Sequence, residues 1–318
     1  MLKLAIVGTG IIVKSHLLAI SQLDDVELVA VCDINEEKAK LYAEQCNVPY
    51  VLDYKDLPSK IDFDAVLLNL PHGLHCEAAV FFLDAGKHVL VEKPMANSVE
   101  ECDKMIEAAK RNNKKLAIAH IQRYSPAVQE AKRIYESGEL GKLCMYTECR
   151  NEDYFYEKRP AWFLTRKMAG GGIAMNFAAH AFDKILSVME DAKVVSVDAQ
   201  CGNLTRDYDV EGHAQIFAKF DNGVSASITL NGYCATGYEC NFYFTKGTLR
   251  ITGKSIDINR GDKQGFIPIE LPASPITHFA KEIDAFHKYV KGEPSNIPTA
   301  EYSRQIIDAI QTSYTKSI

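Results

Sequence analysis

The sequence predicts an α/β protein built from two different sheets. We expect residues 1–120 to form a doubly wound parallel sheet with helices on both faces, and residues 121–318 to form an α+β domain with an open, mostly antiparallel sheet. The first expectation rests on uninterrupted apolar runs that alternate with helical patterns. The second rests on strand-like runs that follow one another directly after about residue 121. A length of 318 residues also suits two domains better than one.

In the first part of the chain, apolar runs and helical patterns take turns. Strands are predicted at 2–7, 26–33, 65–70, 88–92 and 115–120, and helices up to Leu23 and at 36–45, 74–85 and 99–111. Ser98 and Glu101 have the spacing of a capping box, which predicts the start of the last of these helices. Gly86 is expected to end the preceding helix, because glycine is favoured just beyond a helix C-terminus.

The second part has one helix followed by a series of strands. The helix is predicted at 126–137, strands at 142–149, 194–200, 214–220, 224–232, 239–245 and 248–252, and two final helices at 277–291 and 299–314. Asp221-Asn222-Gly223 separates two strand-like runs, which predicts a hairpin. One face of this sheet has too few helices to cover it, so we expect it to form the interface of a homodimer or homotetramer.

Composition argues against several classes of function. The chain is 47% apolar and 25% charged, as in ordinary globular proteins, and its net charge of −6 argues against nucleic-acid binding. No apolar run approaches the roughly 20 residues of a membrane helix. The chain opens directly in a predicted strand, so we expect neither a membrane span nor a signal peptide.

The cysteines and histidines suggest neither disulfides nor a metal. The nine cysteines are dispersed and contain no C-x-x-C pair, which predicts reduced thiols and a cytoplasmic location. His72 and His75 form an H-x-x-H pair, but no carboxylate or thiol cluster accompanies them at a recognised spacing. We therefore expect no metal site.

A glycine loop follows the first predicted strand and opens the first helix. It contains Gly8-Thr9-Gly10, and Asp33 closes the second strand. In this setting the glycines let the backbone approach a pyrophosphate at the helix N-terminus, and the acidic residue accepts hydrogen bonds from the adenosine ribose. G-x-G alone often marks only a tight turn, but this order of strand, loop, helix and acidic strand end predicts a dinucleotide site.

Two positions refine that prediction. Val13 occupies the place of the third glycine, which serves helix–strand packing more than phosphate contact, so we expect binding with a slightly displaced helix. Asp33 would repel a 2′-phosphate, and the two residues after it, Ile34 and Asn35, supply no arginine. We therefore predict NAD as the cofactor, with NADP less favoured.

Lys93 lies where a predicted strand ends, between Glu92 and Pro94. Ligands of open parallel sheets sit beyond the carboxyl ends of the strands, and proline biases the residue before it towards an extended backbone. An amine accepts the proton of an alcohol only if its pKa falls from about 10.4 towards neutrality. The alternative is a lysine that extends to water and pairs with Glu92. Position alone leaves both interpretations open, and it leaves open a cis Lys93–Pro94 bond.

Four stretches together resemble the Gfo/Idh/MocA family, named after glucose–fructose oxidoreductase and inositol dehydrogenase. They are IVGTGIIVKSHLLAI (6–20), NLPHGLHCEAAVFFLDAGKHVLVEKP (69–94), IQRYSP (121–126) and WFLTRKMAGGGIAMNFAAHAFD (162–183). Their order and spacing fit the family over essentially the whole chain, and AGKHVLVEKP is the most specific part. The resemblance implies an N-terminal Rossmann domain and a C-terminal α/β domain. It also implies NAD(P)-dependent chemistry on sugars, polyols or related hydroxy compounds, in dimers or tetramers.

The resemblance also implies roles for individual residues. Lys93 would be the acid/base and touch the nicotinamide ribose, with His180 as its partner, although which of the two is the primary base stays open. Many family members carry aspartate at the position of Asn176. Asparagine orients groups and hydrogen-bonds a substrate hydroxyl, but it does not take up the charge. Phe163 stands where many relatives have arginine, so we expect one polar contact of the family to be absent.

The second part of the chain carries its own candidate site, from Gly170 to His180. Three consecutive glycines before a predicted helix let the backbone come close to a ligand. Asn176 and His180 are at positions i and i+4 and share one helix face, which Asp183 and Ser187 continue. The alternative interpretation is that this stripe is only the solvent side of an amphipathic helix.

The predicted site residues fall into three groups. The catalytic residues are Lys93, His180 and Asn176. The cofactor residues are Gly8, Thr9, Gly10, Ile11, Ile12, Asp33, Asn69, Leu70, Pro71, His75, Glu92, Lys93, Gln122 and Arg123. The substrate residues are Tyr124, Tyr154, Trp162, Asn176 and His180, with Tyr156, Arg159 and Arg166 as further candidates.

These observations predict an NAD(P)-dependent dehydrogenase or reductase acting on a CH–OH group of a sugar, polyol or sugar derivative. One alternative is an NAD-dependent glycosidase on the same scaffold, which would use the same base. Another is a non-enzymatic sensor of sugar or NAD, against which Glu92-Lys93-Pro94 and His180 argue. The sequence leaves the substrate, its stereochemistry and the direction of reaction open.

Overall fold

The chain divides by packing into two compact units. The structure, a computed structural model, describes residues 1–204 and 208–316. The first unit is Met1–Ile121 together with Ser274–Arg304, and the second is Gln122–Ala273 together with Gln305–Ile318. Within the described residues, no helix combines the length and the apolar character needed to cross a membrane.

Strands and helices alternate in the first part of the chain, and strands dominate the middle. The strands are β1 (Leu2–Val7), β2 (Val26–Cys32), β3 (Tyr50–Val51), β4 (Ala65–Leu68), β5 (His88–Glu92), β6 (Leu116–Ala119), β7 (Leu143–Asp153), β8 (Val194–Gly202), β9 (His213–Phe220), β10 (Ser225–Asn231), β11 (Tyr233–Phe244), β12 (Gly247–Thr252), β13 (Ser255–Asn259) and β14 (Ile267–Pro268). The α-helices are α1 (Val13–Ile20), α2 (Glu36–Cys46), α3 (Leu57–Lys60), α4 (His75–Asp84), α5 (Val99–Arg111), α6 (Pro126–Ser137), α7 (Arg166–Ala169), α8 (Ala179–Met189), α9 (His278–Lys291) and α10 (Ala300–Thr315).

The first unit contains a six-stranded parallel sheet in the order β3-β2-β1-β4-β5-β6. This is the doubly wound order of dinucleotide-binding folds, and the direction of winding reverses between β1 and β4. All of β4 is buried, as are Val89, Leu90 and Val91 of β5. Such uninterrupted burial is expected where both faces of a parallel sheet are covered. The predicted parallel sheet is confirmed.

Helix boundaries follow the capping residues of the sequence. Ser98 Oγ accepts the backbone N–H of Glu101 at 3.2 Å, and α5 begins at Val99 as predicted. The Glu101 carboxylate accepts the N–H of Asn97 at 2.9 Å, one residue earlier than in a standard capping box. Gly86 follows the end of α4 with a φ of +77°, a conformation that favours glycine.

The segment Ser274–Arg304 packs with the first unit, although it lies far along the chain. The backbone N–H and the hydroxyl of Thr277, which caps α9, both donate to the side-chain oxygen of Gln22 at 2.9 Å. Phe279 of α9 meets the His16 ring of α1 edge-on, with ring centroids 5.0 Å apart. The domain boundary predicted at residue 120 assigns Ser274–Arg304 to the second domain instead. The two predicted domains stay a prediction.

The second unit contains an eight-stranded sheet in the order β14-β13-β12-β11-β7-β10-β9-β8. Neighbouring strands are antiparallel except for β7 and β10, which run parallel. The predicted hairpin is confirmed, because β9 and β10 pair on either side of Gly223, whose φ is +88°. The mostly antiparallel sheet predicted for this part of the chain is therefore confirmed.

The two faces of the second sheet differ in burial. Tyr146 and Glu148 of β7 and Phe242 of β11 are buried on one face. On the other face, Met145 of β7 is 39% exposed and Phe217 of β9 is 58% exposed in the single chain. This alternation follows from the two-residue period of a strand. The open face thus presents large apolar side chains to solvent.

A buried ion pair joins α8 to the covered face of this sheet. Lys184 Nζ lies 2.8 Å from a carboxylate oxygen of Glu148 and donates to the Tyr238 hydroxyl at 2.6 Å. The Tyr146 hydroxyl donates to the same oxygen of Glu148. Lys184 is 0% exposed and Glu148 is 2% exposed. Burial raises the pKa of Tyr146 and of Tyr238, so both hydroxyls stay protonated.

Candidate active site

Three candidate segments follow the carboxyl ends of neighbouring strands in the first unit. The loop Gly8-Thr9-Gly10 follows β1, Asn69 follows β4, and Lys93 follows β5. Because these strands are parallel neighbours, the three segments lie along one edge of the sheet. Folds of this class bind ligands at this edge, near the point where the strand order reverses.

The two glycines of the loop are under different constraints. Gly8 has a φ of +95°, and a Cβ on it would lie 2.4 Å from the carbonyl oxygen of Asn69. A Cβ on Gly10 would meet no atom of the described residues within 4 Å. Packing inside the chain therefore requires glycine at position 8 but not at position 10. Close approach of a ligand is a physical reason for glycine at the latter.

Asp33 is hydrogen-bonded to the loop that it was predicted to accompany. Its Oδ2 accepts the backbone N–H and the hydroxyl of Thr9 at 2.7 and 2.6 Å, and its Oδ1 accepts the N–H of Asn35 at 2.8 Å. A carboxylate offers about four acceptor sites, so capacity for a ribose hydroxyl remains. Asp33 thus has a structural role that the sequence did not reveal, and its contact with the ribose stays a prediction.

Asn69 fits the predicted role of a cofactor residue. Its Cβ lies 3.4 Å from the position of a Cβ on Gly8. Within the described residues, neither polar atom of its buried side-chain amide has a hydrogen-bond partner. Leaving a buried polar group unpaired costs about 1–3 kcal/mol, and such groups are rare. A donor and an acceptor beside the glycine loop suit the hydroxyl and phosphate groups of a dinucleotide, and Ile11 and Ile12 complete the exposed part of that loop.

Glu92 and Lys93 form the turn at the end of β5, and the Lys93–Pro94 bond is cis. One carboxylate oxygen of Glu92 accepts the Lys93 N–H at 3.1 Å, and the other lies 2.9 Å from His16 Nε2. Burial, the largest single influence, opposes ionisation of Glu92, but the hydrogen bond from His16 and the electrostatic interactions with His16, Lys93 and His75 together outweigh it and hold the pKa of Glu92 below its ordinary value. In this arrangement the Glu92 carboxylate supports the backbone of Lys93.

His75 has no accessible surface in this structure, and its contact with the cofactor stays a prediction. Its ring is 0% exposed, and its Nδ1 and Nε2 lie 2.9 and 2.8 Å from the carbonyl oxygens of Pro94 and Leu70. Burial lowers its pKa. His75 therefore braces the segment after β4 against the turn after β5, while Leu70 and Pro71 stay partly exposed at the site.

In the second unit, Asn176 and His180 lie near the start of a buried helix. Residues Ala174–Ala178 form a π-helical turn that continues into α8. Asn176 and His180 are each 7% exposed, and Asp183 is 0% exposed. The alternative interpretation of this stripe as a solvent-facing side is therefore wrong. The π-helical turn also changes the angular spacing of side chains that the sequence argument took from an α-helix, and such turns are frequent at functional sites.

Contacts inside the second unit explain two of the glycines before this helix. A Cβ on Gly171 would lie 2.0 Å from the Tyr314 hydroxyl, and a Cβ on Gly172 would lie 1.9 Å from the Glu211 carbonyl oxygen. The buried Glu211 carboxylate accepts the N–H groups of Gly172 and Ala174 and the hydroxyl of Tyr314 at 2.8–2.9 Å. It thereby satisfies donors at the helix N-terminus. Packing inside the second unit therefore requires glycine at positions 171 and 172, and close approach of a ligand to this segment stays a prediction.

Arg123 is paired with Asp183 of α8, and its assignment to the cofactor stays a prediction. Its Nε and Nη2 donate to Asp183 Oδ1 at 3.1 and 2.5 Å, and both residues are buried. This pair braces the helix one turn beyond His180. Tyr124 is 3% exposed, which leaves little surface for the predicted substrate contact, whereas Gln122 is partly exposed.

The aromatic candidates form a cluster around Arg159. The Trp162 and Phe163 rings stack with centroids 3.6 Å apart, and the Arg159 guanidinium lies 4.2 Å from the Phe163 centroid and 3.6 Å from that of Tyr154. Tyr154 is buried, which raises its pKa to about 12, so direct substrate contact by Tyr154 is not supported. Trp162 is partly exposed, and it keeps the surface that its predicted role requires.

Two models of known protein families match the chain, one in its first part and one in its second part. The model described as "Oxidoreductase family, NAD-binding Rossmann fold" of the Gfo/Idh/MocA group matches residues 2–120, and the Gfo/Idh/MocA C-terminal domain matches residues 128–250. The chain belongs to the Gfo/Idh/MocA oxidoreductase family. The resemblance noted in the sequence is thereby confirmed, and residues 2–120 form the NAD-binding Rossmann domain of this family.

Two relatives of the chain are named as dehydrogenases. The chain is 34% identical to 1-carboxy-3-chloro-3,4-dihydroxycyclohexa-1,5-diene dehydrogenase of Comamonas testosteroni, over 57% of its own length and 45% of that relative. It is 26% identical to D-glucoside 3-dehydrogenase of Escherichia coli K12, over 98% of its own length and 95% of that relative. The first match thus spans less than half of the relative concerned.

A solved structure with a similar fold is aldose–aldose oxidoreductase of Caulobacter crescentus, crystallised with glycerol. It superimposes with a TM-score of 0.90 at 23% identity, over 99% of this chain and 97% of the other. At this level of identity the likeness concerns the fold. It covers both units of the present chain.

Sequence reasoning missed two residues of the site, His16 and Glu211. His16 belongs to the buried stripe of α1, together with Val13, Ala19 and Ile20. A histidine in an otherwise apolar helical stripe is a detectable signal, because it needs a buried partner. Glu211 carries no such signal, since it meets its backbone partner Gly172 across 39 residues of chain.

Proposed function

We propose that this protein is an NAD-dependent oxidoreductase that transfers hydride between nicotinamide and a secondary alcohol or ketone of a sugar, polyol or sugar derivative. Membership of the family supports the nicotinamide cofactor. The names of the relatives, among them a glucoside 3-dehydrogenase and an aldose–aldose oxidoreductase, support a hydroxylated substrate.

One observation carries the proposal. The glycine loop, the unpaired amide of Asn69 and Lys93 follow three neighbouring parallel strands, at the edge where folds of this class hold dinucleotides. We propose that the Lys93 amine at this edge transfers a proton beside a redox cofactor. A lysine that only extends to water would need neither the glycine loop nor Asn69 as a neighbour.

In the proposed reaction, Lys93 takes the proton of the substrate hydroxyl while the carbon–hydrogen bond breaks. NAD, when bound, supplies the hydride acceptor. His180 is proposed to take part in proton transfer, and Asn176 to hydrogen-bond a substrate hydroxyl without adding a charge. An alcohol and NAD⁺ thus give a ketone, NADH and a proton, and the same residues return the proton in the reverse direction.

The proposal is tested by incubating the purified protein with NAD and a panel of sugars, inositols, sugar phosphates and sugar nucleotides. We expect NADH absorbance to appear with one group of compounds, which defines the substrate class. Absence of NAD binding in calorimetry would contradict the proposal. Cleavage of a glycoside without net NADH would indicate the glycosidase alternative, and bound NAD with no turnover of sugars or glycosides would indicate a sensor.

Asp33→Ala is expected to weaken NAD binding and to lower the preference for NAD over NADP by about tenfold, or about 1.4 kcal/mol. We propose that the carboxylate accepts a hydrogen bond from a ribose hydroxyl and repels a 2′-phosphate. Calorimetry on one preparation measures the dissociation constants for NAD and for NADP. The ratio of the two constants gives the preference for NAD.

Thr9→Val is the matched control, because Asp33 also binds the loop through the Thr9 hydroxyl. This variant removes one loop contact and keeps the carboxylate. The affinities for NAD and for NADP should fall by the same factor, so the ratio of the two dissociation constants should not change. If Asp33→Ala also leaves the ratio unchanged, the preference for NAD does not originate at this residue.

We further propose that the open face of the second sheet is the interface of a homodimer or homotetramer. Met145 and Phe217 expose large apolar side chains there, and apolar patches of this kind mark interaction surfaces. Phe217→Lys should shift sedimentation equilibrium towards the monomer, whereas Leu18→Lys, an equally drastic change on α1, should not. A wild-type chain that is monomeric at all concentrations would refute the proposal.

A further inference from the structure

His16 connects the cofactor-loop helix to the turn that carries Lys93. It lies in α1, which begins directly after the glycine loop, and its side chain is 0% exposed. Its Nε2 lies 2.9 Å from Oε1 of Glu92, and Oε2 of Glu92 accepts the backbone N–H of Lys93 at 3.1 Å. A continuous chain of hydrogen bonds therefore runs from α1 through the Glu92 carboxylate to the Lys93 backbone.

The second ring nitrogen of His16 defines the direction of this hydrogen bond. Within the described part of the chain, Nδ1 is buried without a hydrogen-bond partner. A proton on Nδ1 would lack an acceptor, so the tautomer that fits the site carries its proton on Nε2 and donates to Glu92. The ring also packs edge-on against Phe279 at 5.0 Å, which limits its rotation.

Glu92 depends on this donor. Its side chain is 13% exposed, and a carboxylate so little exposed to water needs donors to stay charged. Among the described residues, His16 Nε2 and the Lys93 backbone N–H donate to its two carboxylate oxygens. Loss of the His16 hydrogen bond would allow Glu92 to rotate or take up a proton, and either change would release the Lys93 backbone.

We propose that His16 is a positioning residue for Lys93. It holds the Glu92 carboxylate in the orientation that receives the Lys93 N–H, and it thereby couples the helix behind the cofactor loop to the position of the Lys93 amine. The inference rests on the proposed role of Lys93 in proton transfer. It adds a residue that touches neither cofactor nor substrate.

The test compares His16→Gln with His16→Asn. Both side chains are neutral amides, but the glutamine nitrogen reaches the place of Nε2, whereas the asparagine nitrogen reaches only the place of Nδ1. We expect His16→Asn to lower kcat by about 10- to 100-fold and His16→Gln by less than about fivefold. The dissociation constant for NAD should change by less than about threefold in both variants. The acid limb of the kcat–pH profile should move in the asparagine variant only.

A second readout does not require turnover. Acetylation of Lys93 with a soluble N-hydroxysuccinimide ester, followed by mass spectrometry over a pH series, reports the accessibility and protonation of its amine. We expect the rate at Lys93 to change at least threefold in His16→Asn and to stay near wild type in His16→Gln. Lys104, an exposed lysine on α5, is the internal control and should react equally in all proteins.

The two readouts separate the possible failures. Equal labelling and equal kcat in both variants would overturn the proposal for His16. A wild-type protein without dehydrogenase activity would overturn the proposed function, while the labelling of Lys93 would still test the role of His16. If the asparagine variant does not fold, His16→Phe replaces it in both experiments. Phenylalanine keeps an aromatic ring but has no hydrogen-bond donor, and we expect the same results from it.

Discussion

Lys93→Met is expected to lower kcat by about 10²- to 10⁴-fold, which is the usual contribution of a general acid or base. Methionine preserves the length and the apolar part of the side chain, but it neither takes nor returns a proton. The backbone contact between Lys93 and Glu92 should persist, so the dissociation constant for NAD should change little. The measurement is kcat with the substrate found in the panel, together with NAD affinity by calorimetry.

Lys104→Met provides the control for this variant. Lys104 lies on α5 of the same unit in an exposed i, i+4 pair with Glu100. The loss of such a pair costs at most about 1 kcal/mol, and kcat should be unchanged. Turnover in Lys93→Met at the wild-type rate would remove Lys93 from proton transfer and leave His180 as the remaining candidate base.

Lys184→Met is expected to destabilise the second unit by about 3–5 kcal/mol, because it leaves the Glu148 carboxylate buried without its cation. For a unit of this size, each kcal/mol corresponds to a shift of about 2–4 °C in Tm. Thermal unfolding followed by circular dichroism should therefore show a loss of at least about 6 °C. A smaller loss would mean that Glu148 finds another partner or becomes protonated.

Two further variants identify the cause of that loss. Glu148→Gln combined with Lys184→Met removes both charges and should recover most of the lost Tm, since a buried pair is worth little compared with neutral side chains. Arg133→Met removes an exposed cation that pairs with Glu130 on α6 in the same unit. It should cost less than about 1 kcal/mol. Equal loss in the single and double variants would show that packing, rather than the unpaired charge, is responsible.

Local sequence patterns predicted the regular parts of the fold well. The apolar runs placed β1, β2, β4, β5 and β6 within about two residues of their observed bounds, and α5 and α6 begin and end where predicted. Burial on both faces of a parallel sheet produces uninterrupted apolar runs, and capping residues mark helix ends, so both signals are local. The two-residue strands β3 and β14 escaped prediction because such short segments carry no periodicity.

The candidate site was predictable only where its chemistry is carried by contiguous residues. The glycine loop, Asp33 and the Glu92-Lys93-Pro94 turn follow strand ends, so the direction of a parallel sheet brings them to one edge. The hydrogen-bond partners of isolated polar side chains were not predictable. His75 and Arg123 are polar residues with buried partners, Pro94 and Asp183, that the sequence does not reveal.

The sequence by itself determined the alternation of strands and helices, the family and the position of the glycine loop and Lys93. Only the tertiary structure decided that Ser274–Arg304 packs with the first unit, that Gly171 and Gly172 make room for Tyr314 and Glu211, and that His16 holds Glu92. The physical reason is the same in each case. Periodicity and capping are properties of neighbouring residues, whereas the partner of a buried polar group or the neighbour of a glycine lies tens to hundreds of residues away and is fixed by packing.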